Sequence, residues 1–225
     1  MICLLSLMKE FKTDFEFKDS RNYVNSATLL EQLCRFIYES FYPEDNWEMP
    51  QIDAKFHKEV LFNGRFLVSE DNANISEYSS ASASFRFYDK GHSIMAVFTE
   101  DKEANVVQRI KTSYSVEDII MERDFSATCK IGCNNRIAFT ENIIEANKRI
   151  HLITLKDRGV NLKVINLYMK GFPIYHYIEE CDYLFLKIEN ISVRPRAGSL
   201  ATLNSLYFPQ LQSERFEMAY IVEGL

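Results

Sequence analysis

The clearest helical pattern in the sequence covers residues 27–41. At 100° per residue, most of its apolar side chains fall on one wide arc, and the opposite side carries Thr28, Gln32, Arg35 and Glu39. Asn25 or Ser26 is suited to cap the start, and Pro43 ends the pattern. We therefore predict an amphipathic helix with Glu31 at the border between its apolar and polar sides.

Alternation of apolar and polar residues predicts β-strands on both sides of this helix. Residues 1–17 fit one or two strands, and the proline-containing segment 43–53 fits a loop anchored by Trp47. Asn63-Gly64 is a turn signal between two strands, and a second turn is predicted at residues 89–91. The segment after the helix is thus expected to form a β-meander.

A second cycle of the same kind follows residue 124. Residues 102–122 fit a short helix around 116–121 or a linker. TENIIEANKR at 140–149 is helical in pattern, whereas RIHLITL at 149–155 fits a strand as well. The remainder is rich in β-forming residues. We predict two units, residues 1–110 and 111–225.

The two cycles show weak internal similarity. LLEQLCR at 29–35 and IIEANKR at 143–149 share an aliphatic pair, a glutamate and a final arginine. Downstream, residues 59–68 and 191–202 each fit a strand, a glycine-containing turn and a second strand. The repeated order of strand, helix and several strands favours two copies of one arrangement, in which an antiparallel sheet wraps around a single helix.

SATLLEQLCRF and TENIIEANKRI resemble the central helices of the A-factor synthase family of double-hotdog acyltransferases, where an aliphatic run precedes Glu and then Arg. The first also resembles the helix of 3-hydroxyacyl-carrier-protein dehydratases. This resemblance implies an α+β tandem (double) hotdog fold and a role in fatty acid or polyketide metabolism. It places Glu31 and Glu145 at catalytic positions, and Lys148 and Arg149 at the basic position that follows.

The dehydratase pattern also requires a histidine ahead of the helix, and neither KDSRNYVN nor IGCNNRIAF contains one. His57 is the best remaining candidate for a base. We therefore expect an acyl-thioester-binding protein, with dehydratase-, thioesterase- or acyltransferase-like activity as one outcome. The alternatives are a non-catalytic acyl-binding module and an unrelated α+β interaction protein.

The border position of Glu31 allows two interpretations. Burial against Tyr38 and Phe41 would raise the pKa of this carboxylate and suit it to acid–base work, with Arg35 and Tyr38 contacting the substrate. Alternatively, Glu31 and Arg35 form a solvated i,i+4 pair. Glu145 is expected to face solvent, and Cys34 is expected to belong to the core rather than to act as a nucleophile.

Composition narrows the classes of partner. The 225 residues are 47% hydrophobic and 26% charged, with a net charge of −6, which disfavours binding to nucleic acid. Arg194 and Arg196 form one compact basic spot, suited to a pantetheine phosphate or an acidic carrier protein, or simply to an exposed turn. Partners are thus expected to be acyl thioesters on coenzyme A or a carrier protein.

Other features disfavour cofactors, metals and membranes. No glycine-rich phosphate loop occurs, so no nucleotide cofactor is expected. Five scattered cysteines indicate a reducing, cytoplasmic location, and Cys129 and Cys133 lack the second ligand pair of a zinc site. No apolar segment is long enough to span a bilayer, and MICLLSL fits a strand better than a signal peptide. The assembly is expected to be a monomeric pseudo-dimer or a homodimer.

Overall fold

The computed structural model of the protein describes residues 8–41, 51–70, 80–89, 92–122, 126–132, 136–155, 163–173, 183–196, 199–209 and 215–223. The chain divides into two compact units, which we call unit 1 (residues 1–112) and unit 2 (residues 113–225). Each unit combines β-strands with one long helix.

Among its described residues, unit 1 contains five strands that pair antiparallel with one another and the first helix. Its elements are β1 (Lys9–Lys12), β2 (Glu16–Lys18), α1 (Ser26–Phe41), β3 (Gln51–Phe56), β4 (Phe62–Ser69), β5 (Ala83–Asp89), β6 (His92–Asn105) and β7 (Gln108–Ile110). The sheet has the order β1-β4-β6-β5-β3, while β2 pairs with β7 in parallel as a separate two-stranded ribbon.

Helix α1 confirms the strongest helical prediction. The Asn25 side chain accepts a hydrogen bond from the Thr28 backbone N–H at 2.8 Å, which satisfies one of the free donors at the helix start. Leu29, Leu33 and Ile37 are fully buried, as the apolar arc predicts. Thr28 is also buried, although we predicted it on the polar side. Its burial is tolerated because its hydroxyl also donates a hydrogen bond to Asn25 Oδ1.

The predicted Asn63-Gly64 turn is wrong, because both residues lie inside β4 at a break in register with β6. Asn63 is buried, accepts a hydrogen bond from the Phe15 N–H at 2.6 Å and donates to the Asn105 carbonyl at 3.1 Å. A Cβ on Gly64 would lie 2.1 Å from the carbonyl oxygen of Thr99. Asn63 and Gly64 are therefore needed for a bulged strand in close contact with its neighbour rather than for a turn.

Two other predictions in unit 1 are partly outside the described residues. Strand β3 begins at Gln51, inside the predicted loop 43–53, while Trp47 lies outside the described residues. Strands β5 and β6 pair antiparallel with Asp89 opposite His92, and residues 90–91 between them are not described.

Among its described residues, unit 2 contains six strands that pair antiparallel with one another and the second helix. Its elements are β8 (Val116–Met121), β9 (Ala127–Gly132), α2 (Arg136–Leu155), β10 (Lys163–Pro173), β11 (Tyr183–Arg196), β12 (Ser199–Tyr207) and β13 (Phe216–Glu223). The sheet has the order β10-β13-β12-β11-β9-β8. The segment 149–155, which also fitted a strand, is helical.

Residues 116–121 form strand β8, so the short helix considered for this segment is wrong. They pair antiparallel with β9, and the register shifts between Glu117 and Ile120. Asp118 within this shift has a φ of 49°. The irregularity breaks the simple alternation by which a strand is recognised in sequence.

The downstream part of the internal repeat also differs between the units. Residues 59–68 hold one bulged strand, β4, whereas residues 191–202 hold parts of two paired strands, β11 and β12. The similarity between the two cycles is therefore limited to the helices and the order of elements.

The core of unit 2 lies between α2 and the central strands. Ile143, Ala146 and Ile150 are fully buried on one side of the helix, as predicted. At the helix start, Phe139 packs 5.5 Å from Phe208, measured between ring centroids. This apolar contact anchors α2 to the chain that follows β12.

Candidate functional site

Glu31 lies in the second turn of α1, half-buried at the edge of the apolar side. Burial raises the pKa of its carboxyl above the ordinary value, and the positive charges of Lys18 and then Arg35 oppose that effect. A raised pKa is the direction of change that favours a carboxyl as a general acid or base.

Arg35 does not form the predicted pair with Glu31. Its Nε donates to Glu39 Oε1 at 2.9 Å, and 78% of its side chain is exposed. Tyr38, on the same helix, is half-buried. Of the two residues predicted to lie beside Glu31, Arg35 is thus in an exposed ion pair with Glu39, and Tyr38 is a partly buried aromatic residue.

Cys34 lies one turn beyond Glu31 and is not suited to act as a nucleophile. Burial, together with the negative charge of Glu31, raises the pKa of its thiol to about 12. Because the thiolate is the reactive form of cysteine, this side chain stays inert at physiological pH. The prediction that Cys34 serves the core agrees with this environment.

His57 follows β3 directly, and its side chain is exposed. Its Nε2 lies 3.1 Å from Ser84 Oγ on β5. Within the described part of the chain, no hydrogen bond or ion pair joins His57 to Glu31. These two predicted catalytic residues are therefore not joined by a hydrogen bond or an ion pair among the described residues of unit 1.

Glu145 on α2 is mostly buried, with 14% of its side chain exposed, so the predicted solvent-facing position is wrong. It accepts a hydrogen bond from Arg149 Nε at 3.0 Å, and Arg149 also donates to the Val116 carbonyl at 3.3 Å. Lys148 is half-buried. Arg149 thus joins α2 to β8 and covers the Glu145 carboxylate, which explains why a helix-surface position became buried.

The predicted basic spot lies on strand β11 rather than in a turn. Arg194 pairs with Ala201 and Arg196 with Ser199 across the β11–β12 ladder. The Arg194 side chain is exposed, and the side chain of Arg196 is outside the described part. An exposed arginine at this end of the ladder is open to an anionic partner.

Helix α2 also carries a buried polar cluster that sequence reasoning missed. We call it the α2 polar cluster, and its members are Asn147, His151, Thr202, Asn204 and Tyr220. All five are at most 2% exposed. Buried polar side chains cost free energy unless they are hydrogen-bonded, so their concentration in one place requires explanation.

His151 connects the helix to strand β12 within this cluster. Its Nδ1 lies 2.8 Å from the Asn147 carbonyl oxygen, which can only accept, so Nδ1 carries the proton. Its Nε2 therefore accepts the hydrogen bond from the Thr202 hydroxyl, at 2.6 Å. Burial lowers the pKa of His151 to about 4, and the ring is neutral at physiological pH.

The amides complete the cluster. The Asn204 amide donates to Asn147 Oδ1 at 2.7 Å, and Asn147 Nδ2 contacts the Met218 sulfur at 3.6 Å. The Tyr220 ring lies 4.9 Å from His151 between centroids, and burial raises the pKa of its phenol. The one sequence signal for this cluster was the i,i+4 spacing of Asn147 and His151 on the apolar side of α2.

The described ranges of the chain hold neither a metal-binding cluster nor a helix that could span a membrane. Within those ranges, no cluster of three His, Cys, Asp or Glu side chains could hold a metal ion. Cys133, His176 and the His92 side chain fall outside them. Neither α1 nor α2 is long and apolar enough to cross a bilayer.

No protein-family model matches the sequence, and no curated protein is significantly similar to it. Solved structures nevertheless share its fold. The dehydratase domain from the CurJ module of curacin polyketide synthase has 10% identity and a TM-score of 0.54, with 100% of this chain and 95% of that chain covered. A Lactobacillus plantarum protein assigned as an oleoyl thioesterase has 9% identity and a TM-score of 0.51, with 99% and 98% covered.

A third structure, the TesB protein of Mycobacterium avium subsp. paratuberculosis, has 8% identity and a TM-score of 0.51, with 96% of this chain and 93% of that chain covered. Together with the antiparallel sheets and the two helices of the described residues, these likenesses identify the fold as a hotdog fold.

Proposed function

We propose that the protein is a double-hotdog protein that binds an acyl thioester, carried on coenzyme A or on a carrier protein. Residues 1–110 and 111–225 would be its two hotdog units. Support comes from the hotdog fold and from the nature of two proteins that share it along nearly their whole length, a dehydratase domain and a protein assigned as a thioesterase. Both names describe chemistry on acyl groups.

Glu31 is the proposed catalytic carboxylate. The observation that supports this role best is its environment: it is half-buried on the long helix of unit 1, and burial raises its pKa. An acid or base in dehydration, thioester hydrolysis or acyl transfer needs a carboxyl that changes protonation within the working pH range. We propose that Tyr38, half-buried on the same helix, contacts the substrate.

Basic residues are proposed to receive the charged part of the ligand. Arg194 is exposed on β11, where it can meet a phosphate of the pantetheine arm or an acidic carrier surface. Arg196, Lys148 and Arg149 are further candidates for the same role. Arg149 has the weaker support, because Glu145 and the Val116 carbonyl already accept its hydrogen bonds.

A non-catalytic acyl-binding protein is the second candidate. It is favoured by the position of His57, which is exposed beside Ser84 and forms no hydrogen bond or ion pair with Glu31 in the described ranges. If His57 does not act together with the carboxylate, the fold would hold an acyl chain without turning it over. Glu145, in an ion pair within α2, would then be a structural residue.

The experiment compares Glu31→Gln with Glu39→Gln, which alters an exposed glutamate on the same helix. Binding is measured as the thermal shift with acyl-coenzyme A and acyl-carrier protein of several chain lengths. A ligand at 100 times its Kd should raise the Tm by about 5 °C. No shift with any acyl thioester would refute the proposed binding function.

Turnover then separates an enzyme from a binding protein. We expect Glu31→Gln to lower thioester hydrolysis or dehydration about 100-fold or more while leaving the fold intact, because the amide cannot exchange a proton. Glu39→Gln should retain wild-type activity. If wild-type protein binds acyl thioesters without converting them, the non-catalytic candidate is correct.

A further inference from the structure

Phenylalanine rings fill the space between α1 and the sheet of unit 1. We call these rings the phenylalanine core, and its members are Phe11, Phe15, Phe36, Phe66, Phe85 and Phe98. Four of them, Phe15, Phe66, Phe85 and Phe98, are at most 1% exposed. The interior of unit 1 is therefore occupied by large, rigid side chains.

The ring of Phe11 on β1 connects the helix to the sheet. Its centroid lies 4.8 Å from that of Phe36 on α1 and 6.4 Å from that of Phe66 on β4. The Phe66 centroid lies 5.0 Å from that of Phe98 on β6 and 5.9 Å from that of Phe85 on β5. Aromatic pairs attract one another at separations of about 4.5–7 Å, so the phenylalanine core is one continuous set of contacts from α1 across the sheet.

The phenylalanine core also reaches the part of α1 that carries Glu31. Gln32, the residue after Glu31, donates from Nε2 to the Asp14 carbonyl oxygen at 3.1 Å. The residue after Asp14 is Phe15, which is fully buried with its ring centroid 5.5 Å from that of Phe98. The segment that leads into Phe15 is therefore held against this part of α1, while the Phe15 ring belongs to the core.

Phe98 is closely packed on several sides. Its ring contacts those of Phe15 and Phe66, and a Cβ on Gly64 would lie 2.9 Å from Phe98 Cζ. Protein interiors are close-packed, with few voids larger than a water molecule. An acyl chain therefore cannot pass beside Phe98 unless the ring moves.

The interior of unit 2 disfavours an acyl chain for a different reason. There the α2 polar cluster joins α2 to β12 through the hydrogen bonds of His151 with Thr202 and of Asn147 with Asn204. A hydrocarbon chain in this place would break these bonds without replacing them, and a buried polar group that loses its partner costs free energy. In both units, the space between helix and sheet is thus unsuited to a long acyl chain.

We propose that the protein takes short acyl thioesters, and that Phe98 and the rest of the phenylalanine core limit the length of the acyl chain. This inference rests on the proposed acyl-thioester-binding function. The thioester lies beside Glu31 at the margin of the apolar side of α1, where the first carbons of the chain are covered. Carbons beyond that margin meet the closed core and stay in water.

The test of chain length uses wild-type protein and a series of acyl-coenzyme A ligands from acetyl to dodecanoyl, with Kd measured by isothermal titration calorimetry. Each methylene that becomes buried strengthens binding about fourfold, whereas one that stays in water adds nothing. We expect Kd to fall over the first members of the series and to level off beyond hexanoyl. A continued fourfold gain per methylene up to dodecanoyl would overturn the inference while leaving the proposed function intact. Absence of binding by the whole series and by acyl-carrier protein would refute the proposed function and this inference with it.

The role of Phe98 is tested with Phe98→Ala in the same series. Removal of the ring leaves an apolar cavity, and such cavities can bind apolar ligands. In Phe98→Ala we expect octanoyl-coenzyme A to bind about tenfold tighter than hexanoyl-coenzyme A, because two more methylenes become buried. In wild type the two ligands should bind equally.

Phe216→Ala is the matched control, since it removes an equally buried ring from unit 2. It should keep the wild-type limit. Phe98→Leu retains more of the apolar volume and covers the case that Phe98→Ala does not fold, and it should extend the limit by a smaller amount. An unchanged limit in the Phe98 variants, or the same extension in Phe216→Ala, would refute the role of Phe98.

Discussion

At the residue scale, His151 shows how burial creates a dependence of stability on pH. Its pKa is about 4 in the folded protein, whereas an unfolded chain binds a proton near pH 6.5. Between these values the unfolded state binds more protons than the folded state, so stability is fully present above about pH 6.5 and declines as the pH falls toward 4. The difference corresponds to about 3 kcal/mol.

The loss of stability on acidification can be measured as the difference between the free energies of unfolding in urea at pH 7 and at pH 4.5. We expect His151→Gln to show a smaller loss on acidification than wild type, because the titrating group is absent. His57→Gln is the control, since His57 is exposed, and it should behave like wild type. If wild type and His151→Gln lose equal stability, the neutral, buried state of His151 is disproved.

Gly64 provides a second prediction at this scale. The Cβ of alanine would lie 2.1 Å from the Thr99 carbonyl oxygen and 2.9 Å from the Glu100 Cα, and backbone atoms cannot move aside cheaply. We expect Gly64→Ala to lower the free energy of unfolding by about 3 kcal/mol. Arg65→Ala, at the exposed next position, should cost less than about 1 kcal/mol. Equal costs for the two variants would contradict the close approach of β4 and β6.

Individual residues were predicted well where their neighbours are close in sequence. The Asn25 cap and the unreactive thiol of Cys34 at the edge of the buried side depend on α1 itself, and the sequence displays both. Glu31 was correctly placed at the edge of the apolar side. The partner that acts on it most strongly, Lys18, belongs to another element, and no pattern in the sequence connects the two.

At the scale of elements, the start of α1 depends on one side chain. Asn25 Oδ1 accepts hydrogen bonds from the backbone N–H and the hydroxyl of Thr28. We expect Asn25→Ala to lower the free energy of unfolding by about 1 kcal/mol, whereas Asn25→Asp, which keeps the acceptor, should cost little. Urea unfolding of the two variants checks this, and a similar cost for both would exclude the cap as the cause.

The two helices differ in how clearly the sequence indicates them. On α1 the buried residues are apolar apart from Thr28, so the amphipathic pattern stands out. On α2, buried Asn142, Asn147 and His151 interrupt the apolar side, and the pattern is weaker. The polar residues are tolerated because strand β12 supplies Thr202 and Asn204 as partners for two of them. The weak pattern explains why the last part of α2 also fitted a strand.

At the scale of the whole molecule, the order of elements was more informative than any single motif. The predicted sequence of strands, helix and strands occurs in both units, and the hotdog fold agrees with it. The three solved structures described above have 8–10% identity over nearly the full chain. Such different sequences can share one fold because many combinations of apolar residues can bury one face of a helix against a sheet.

The sequence by itself determined the position of α1, the central part of α2, most of the β-rich segments and the acidic balance of the chain, since these follow from periodicity, propensity and composition. Only the tertiary structure decided that Asn63 and Gly64 belong to a strand, that Arg149 covers Glu145, and that His151 meets Thr202, 51 residues away along the chain. The physical reason is that burial and electrostatic partnership arise from contacts between distant segments. Local patterns specify the elements, whereas the surroundings of each polar group depend on how those elements pack.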